Sequence, residues 1–254
     1  MIIDTHTHYD DSRFDEDREA LLSELKSRNM IAVNASADLQ GCRDTLSLIA
    51  RYPHLYGMLG VHPQCVGELT EADMEWIKTE AAGEKIVAIG EIGLDYHDER
   101  NPSPKVQQEW FARQIALARE TGLPVNVHSR DAAADTLDVI RSEKAMDCGG
   151  IIHCFSYGPE MARIYVDMGF YIGIGGVVTF SNGKKLKEVV KEIPLERIVL
   201  ETDCPYLAPD GHRGERNSSL YLDKVLEQIA LIKGINMEET ESVTEANARR
   251  VYRI

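Results

Sequence analysis

The feature that most limits the fold of this chain is a repeated alternation of short apolar runs with longer amphipathic stretches. Eight runs read as strands: Met1–Asp4, Ile31–Ala35, Leu55–Val61, Ile86–Gly90, Pro124–Val127, Gly150–Ile152, Phe170–Ile174 and Ile198–Leu200. Helical patterns lie between them over Asp15–Arg28, Asp38–Arg51, Glu71–Ala82, Lys105–Thr121, Asp131–Arg141, Pro159–Met168 and Lys184–Glu192. An eighth covers about Ser219–Lys233 and a final one about Met237–Tyr252. Asp131, next to "HSR", and Gly122, after "LARET", supply helix start and stop signals. Eight strand–helix units in 254 residues predict an α/β fold, a (β/α)₈ TIM barrel of the usual roughly 250 residues, with an extra C-terminal helix. A doubly wound open sheet is the alternative. It expects an early Gly-rich phosphate turn, and "THTHYDD" is not one. No Pro/Gly/Ser-rich linker, low-complexity tract or short repeat divides the chain, so residues 1–254 read as a single domain.

Composition narrows the function classes. A hydrophobic content of 43% fills one sizeable core of a soluble protein. No stretch approaches 18 consecutive apolar residues, so no transmembrane helix is expected. The start of the chain has neither a basic n-region nor an apolar h-region, which argues against secretion. Five cysteines, Cys42, Cys65, Cys148, Cys154 and Cys204, form no C-x-x-C pair and fit reduced thiols in the cytoplasm. The formal net charge of −14 makes the chain a poor non-specific binder of polyanions, whose affinity comes from Lys and Arg. A nucleic-acid substrate would have to be recruited locally, by metal cations and a few basic residues.

The unusual polar residues fall just past the strands. His6 and His8 in "THTH" sit two apart on extended chain, where i and i+2 share a face, and by the same alternation Asp4 joins them. His62 follows in "LGVHP", Glu91 and Asp95 in "VAIGEIGLD", His128 and Arg130 in "PVNVHSR", His153 in "GIIHCF", and Glu201 and Asp203 in "IVLETD". Singly, each has a bland explanation as a cap, a turn residue or a satisfied core histidine. A barrel collects all these strand ends at one mouth, where barrel enzymes keep their active sites. Four imidazoles with two or three carboxylates exceed what one ion needs, since three protein ligands and a water complete a catalytic zinc site. Two ions roughly 3.5–4 Å apart are expected, with Glu91 as the carboxylate placed to bridge them. Mixed nitrogen and oxygen donors suit zinc, manganese, iron or nickel better than magnesium. Cys154 and Cys204, beside His153 and Asp203, are expected to turn away from the ligand face by strand alternation.

These motifs, "THTH", "GVHP", "AIGEIGLDY", "PVNVHSR", "IIHCF", "LETDCPYLAP" and the terminal "NARRVY", resemble the TatD family of metal-dependent hydrolases, the deoxyribonuclease branch of the amidohydrolase-like barrels. The match runs from residue 2 to residue 252. The resemblance implies His6, His8, Glu91 and Asp203 around one divalent ion and Glu91, His128 and His153 around the other. It implies a cytoplasmic nuclease acting 3′ to 5′ with magnesium support. Departures from the family pattern are Tyr9, Gln64 after "GVHP", Cys204 after "ETD", and "RGERNSS" without the family's Glu-Pro.

Phosphodiester cleavage needs an activated water, charge neutralisation on the phosphoryl oxygens and help for the leaving oxygen, all of which two cations (Mg²⁺, Mn²⁺, Zn²⁺ or Ni²⁺) can supply. Asp203 is the candidate to orient or deprotonate the water, and Arg130 to grip a phosphate bidentately. His62 is placed to bind the phosphate or protonate the leaving group, and Glu201 to orient a ligand. Lys184, Lys185 and Lys187 in "SNGKKLKEVV", with Arg213 and Arg216 in "HRGERN", are basic clusters that could hold a nucleic-acid backbone. The expected partner is single-stranded DNA, with no membrane and no obligate protein partner. Two other classes compete. One is an ester or amide hydrolase on the same metals, such as an amidohydrolase, a phosphotriesterase or a D-aminoacyl-tRNA deacylase. Glu91 occupies the place where many such relatives carry a carboxylated lysine. The other is a non-catalytic binding protein on a dead barrel, which the intact ligand set argues against.

Overall fold

The computed structural model describes all residues from Met1 to Ile254. Eight parallel strands form one sheet in chain order: β1 (Ile3–Thr7), β2 (Ile31–Ala35), β3 (Leu55–Leu59), β4 (Ile86–Asp95), β5 (Val125–Arg130), β6 (Gly150–Ile152), β7 (Tyr171–Ile174) and β8 (Ile198–Leu200). Seven helices alternate with them: α1 (Arg18–Ser27), α2 (Leu39–Arg51), α3 (Glu71–Glu80), α4 (Pro104–Thr121), α5 (Ala133–Ser142), α6 (Pro159–Asp167) and α7 (Lys184–Glu192). Then come α8 (Leu222–Lys233) and the additional α9 (Met237–Tyr252). The expected (β/α)₈ barrel is the observed one.

The sheet closes at the β1/β8 seam through an isolated Thr7–Cys204 bridge rather than a regular ladder. Backbone bonds from His8 N to the Cys204 carbonyl (2.8 Å) and from Asp203 N to the His6 carbonyl (3.0 Å) hold it. Side chains complete the stitch. Asp4 accepts from Thr202 N (3.0 Å), Thr202 Oγ1 (2.7 Å) and Ser219 Oγ (2.6 Å), and Thr5 Oγ1 donates to the Leu200 carbonyl at 2.9 Å. Asp4 therefore belongs to the seam and not to the histidine face. A register shift between Asp4 and Thr7 breaks the two-residue alternation on which that expectation rested. Burial pushes the Asp4 carboxyl up to about 7 against its hydroxyl and backbone donors.

Two apolar layers result. The larger lies between the outer strand faces and the helices, with Leu55, Leu59, Ile89, Val125, Val127, Phe111, Ile172 and Leu200 at its heart. The smaller fills the barrel interior below the mouth. There Ile3, Val33, Met58, Val87, Ile151, Tyr171 and Val199 meet Ala248, Val251 and Tyr252 of α9, which plugs the far end. Asn236 caps α9, accepting from Glu239 N at 2.7 Å.

Strand and helix ends move in instructive ways. β4 runs on to Asp95 and β5 to Arg130, so Glu91 and His128 lie within strands rather than past them. Asp131 does not begin α5. It takes a left-handed backbone (φ 53°) and hydrogen-bonds the His97 ring instead, and the helix opens two residues later. Gly122 ends α4 in the left-handed conformation (φ 71°) that glycine adopts without steric cost.

Candidate metal centre at the barrel mouth

Glu91 is the centre of the mouth. β4 delivers its carboxylate to the axis because Gly90 lets the backbone approach β5 and β3. A Cβ at that position would lie 2.7 Å from Asn126 Cβ and 2.9 Å from Met58 Sδ. The two Glu91 oxygens face different imidazoles. Oε2 lies 3.4 Å from His6 Nε2 and 3.7 Å from His8 Nε2. Oε1 lies 2.9 Å from His128 Nδ1, 3.4 Å from His153 Nε2 and 3.7 Å from His62 Nε2. Asp203, in the turn after β8, puts Oδ1 3.4 Å from His8 Nε2 and 3.9 Å from His6 Nε2. All six residues expected around the ions, His6, His8, Glu91, His128, His153 and Asp203, thus meet in one cluster, with His62 added on the Oε1 side.

The outer ring nitrogens are held by acceptors. His8 Nδ1 lies 2.9 Å from the Ala35 carbonyl, His6 Nδ1 2.9 Å from Asn126 Oδ1 and His153 Nδ1 3.3 Å from Glu201 Oε2. Proton-bearing Nδ1 atoms leave the Nε2 lone pairs aimed inward, the arrangement that orients metal-ligating histidines. His6 and His8 Nε2 stand only 3.1 Å apart. Two neutral rings would oppose lone pairs there, which a proton on one of them or a cation between them relieves. The donor set therefore fits metal ions: three groups of its residues, His6–His8–Asp203, His6–Glu91–His153 and His62–Glu91–His128, each bring three potential ligand atoms within 4.8 Å of one another.

Charge follows the same geometry. Burial lowers the His8 imidazole, but Asp203, Glu91 and Asp10 outweigh burial and raise it to about 9. Burial likewise opposes charge on His128, and Asp95 and Glu91 raise it to about 9. Burial pushes the Glu91 carboxyl up, yet the surrounding His62, His6 and His153 hold it well below the usual carboxylate range. His62 is different. Desolvation dominates and drops it to about 3, so it is neutral at physiological pH.

Supporting residues explain these placements. Glu201 accepts from Cys154 N at 2.6 Å while facing His153, in space kept open by Gly173, whose Cβ would lie 2.2 Å from Glu201 Oε2. Asp95, given no role from sequence, lies 3.3 Å from His128 Nε2 and accepts from Gln64 Nε2 (3.2 Å) and His97 N (2.9 Å). Asn126 was missed, although it stands two residues before His128 and shares its face. It carries the mouth down to the plug: its Nδ2 donates to Tyr252 OH (3.1 Å), which donates to the Thr5 carbonyl (2.8 Å).

Other expectations divide. Arg130 is exposed at the end of β5. Arg213 is exposed on the loop after β8, its guanidinium 4.4 Å above the Phe180 ring; neither joins the imidazole cluster. Arg216 is committed internally, to Asp17 (2.7 Å) and the Arg13 carbonyl (2.7 Å). Cys204 is buried away from the cluster, as expected. Cys154 is not turned away: its thiol comes within 4.8 Å of His153 and Asp203 donor atoms. β6 has already ended at Ile152, and the positive φ of Cys154 (44°) overrides strand alternation.

The model of the family described as TatD related DNase matches residues 3–253. This chain belongs to that family. Among TatD relatives, the metal-dependent hydrolase YabD of Bacillus subtilis is 44% identical, with all of both chains covered. The 3′-5′ ssDNA/RNA exonuclease TatD of Salmonella typhimurium is 33% identical over 96% of this chain and 95% of its own. The crystal structure of the TatD homologue YjjV from Escherichia coli superposes with a TM-score of 0.93 at 27% identity, covering 100% and 98% of the two chains. The TatD-family chain is a metal-dependent hydrolase on a TIM barrel, with His, Glu and Asp clusters able to hold metals. None of its helices is long and apolar enough to cross a membrane.

Proposed function

We propose that this chain hydrolyses phosphodiester bonds of single-stranded DNA from the 3′ end, using two divalent cations. The observation that carries the reading is the division of Glu91: one oxygen faces His6 and His8, the other His128, His153 and His62. A carboxylate so placed suits a bridge between two ions, the first completed by His6, His8 and Asp203, the second by His128 and His153. Bound there, the ions would supply Lewis acidity and a water of lowered pKa.

The chain's own groups do the rest. Asp203 is held ionised: burial raises its carboxyl, but the His8 hydrogen bond and the charges of His153, His8 and His6 outweigh burial and lower it. It is placed to orient the attacking water and accept its proton. His62, whose Nδ1 accepts from Gln64 N at 3.2 Å, is left with an Nε2–H placed to bind a phosphoryl oxygen or to serve the leaving oxygen. Arg130 and Arg213 stand at the rim, free to meet the phosphates of the entering strand, and a planar guanidinium suits them. The overall acidity of the chain, −14, makes this local recruitment necessary. The relative named as a 3′-5′ ssDNA/RNA exonuclease supports the substrate class and the polarity. A cytoplasmic location fits such a substrate and five unpaired thiols.

The test is digestion of single-stranded DNA labelled at either end, with Mg²⁺, Mn²⁺ or Zn²⁺, against EDTA and the Asp203→Asn variant. Shortening from the 3′ end that needs both a cation and Asp203 supports the proposal. No cleavage with any ion, together with release of D-amino acids from charged tRNA, overturns it in favour of the deacylase reading.

A further inference from the structure

A cavity of about 190 Å³ opens beside the cluster, and its floor is Glu201, Thr202 and Asp203. Its walls are Phe155, Val177, Leu186 and Leu207, and its rim carries Asn182 and Lys185. The pairing is unusual for the mouth of this barrel. Within reach of Asp203, the Glu91 side presents imidazoles and carboxylates, while this side mixes apolar Phe155, Val177, Leu186 and Leu207 with Cys154 and Ser156. The loops that frame it are closely apposed: a Cβ on Gly176 would lie 2.2 Å from the Leu207 carbonyl oxygen, and one on Gly183 2.4 Å from that of Val177. Close backbone contact thus fixes the loops that carry the walls.

Its charge is also specific. Lys184 and Lys185 occupy the first turn of α7, which has no acidic residue and no side-chain cap. Cations at a helix N-terminus oppose the helix dipole, so these positions gain nothing from the helix itself. Of the two, Lys185 lines the cavity.

We propose that this slot takes the nucleobase of the 3′-terminal nucleotide, with the scissile phosphate lying between Asp203 and Lys185. The proposal rests on the nuclease reading above and deepens it. An unstacked base needs a narrow apolar compartment with a few polar groups at its edge, and Phe155, Val177, Leu186 and Leu207 with Asn182 provide that composition. The apolar walls grip any base face, and the two carboxylates of the floor are already engaged, Glu201 with His153 and Cys154 N and Asp203 with His8, which leaves few groups to read a base edge. The slot would thus demand a base without strongly preferring one.

Two measurements on the Mn²⁺-loaded protein test this. In calorimetric titration, deoxyadenosine 5′-monophosphate should bind at least about tenfold tighter than deoxyribose 5-phosphate, roughly 1.4 kcal/mol. Filling the slot with Val177→Trp should erase that difference by weakening the nucleotide far more than the sugar phosphate. Lys185→Ala should weaken both ligands together. In the second measurement, an oligonucleotide ending in a normal 3′ nucleotide should be cut at least tenfold faster than one ending in an abasic tetrahydrofuran, again only without the tryptophan. Equal affinity of the wild-type protein for the two monophosphates overturns the slot. So does a base-dependent difference that survives in a folded Val177→Trp protein. Base-dependent binding without any DNA cleavage overturns the nuclease reading and leaves the slot standing.

Discussion

The two ends of the barrel interior are built on opposite principles from the same strands. At the far end, Ile3, Val33, Val87, Ile151 and Val199 close over α9 residues Ala248, Val251 and Tyr252 in a dry apolar layer. At the mouth, two to four residues further on, β1, β4, β6 and β8 lead to His6, Glu91, His153 and Glu201, all buried, and His128 of β5 joins them half-buried. The first arrangement is favourable by itself, because apolar area leaves water. The second concentrates groups that are costly to bury, and it persists because each charge has partners. Stability and reactivity are thus separated by only a few residues along each strand.

That contrast can be broken from either end. At the plug, Tyr252→Ala removes a buried ring together with the hydroxyl that bonds Asn126 and the Thr5 carbonyl. It should cost about 3–5 kcal/mol, a fall of about 2–4 °C in Tm per kcal/mol for a chain of this size, read by calorimetry. At the mouth, Glu91→Gln should lower kcat/KM on DNA by about 10³-fold, roughly 4 kcal/mol. The Tm gain that Mn²⁺ gives the wild-type protein should disappear with it, since that gain is binding to the native state alone. A Glu91→Gln protein still stabilised by Mn²⁺ would show that the ions do not depend on the bridge.

The link between the ends should have an intermediate effect. Asn126→Ala frees the outer nitrogen of His6, and the loss of such an orienting partner typically costs 10- to 100-fold in metal affinity. Competition against a metallochromic dye would read this. The smallest effect is in pH. His8 and His128 have native pKa values of about 9, above the usual histidine value of 6.5. Their protonation therefore stabilises the native state fully below about pH 6.5, and that contribution is lost as pH rises through 9. With EDTA present, Tm should fall between pH 7 and 9.5. With Mn²⁺ present the fall should vanish, because the cation displaces the same protons and gains affinity as pH rises.

Much of this contrast was legible in the sequence, because strand order and a parallel barrel force scattered polar residues to one rim. The placement of His6, His8, Glu91, His128, His153 and Asp203 follows from that alone. What escaped has physical causes. "IVAIGEIGLD" reads as a strand stopping at Gly90, since glycine and glutamate usually end strands. Inside a barrel mouth they continue one, because the interior there is polar and the backbones must touch. Asp4 and Cys154 broke the alternation rule at a register shift and at a strand end, features that depend on neighbouring strands. The apolar slot could not be read at all. Phe155, Val177, Leu186 and Leu207 look like ordinary core residues until three loops are folded together.

The hydrogen-bond path from Tyr252 through Asn126 to His6 joins residues 246 positions apart in the chain. That separation makes the cage a long-range product of folding: the β1 imidazole gains the full line of support behind it only once α9 has docked beneath the barrel. Loosening the last turn of α9 would leave most of the barrel standing and the His6 ring with a slacker anchor.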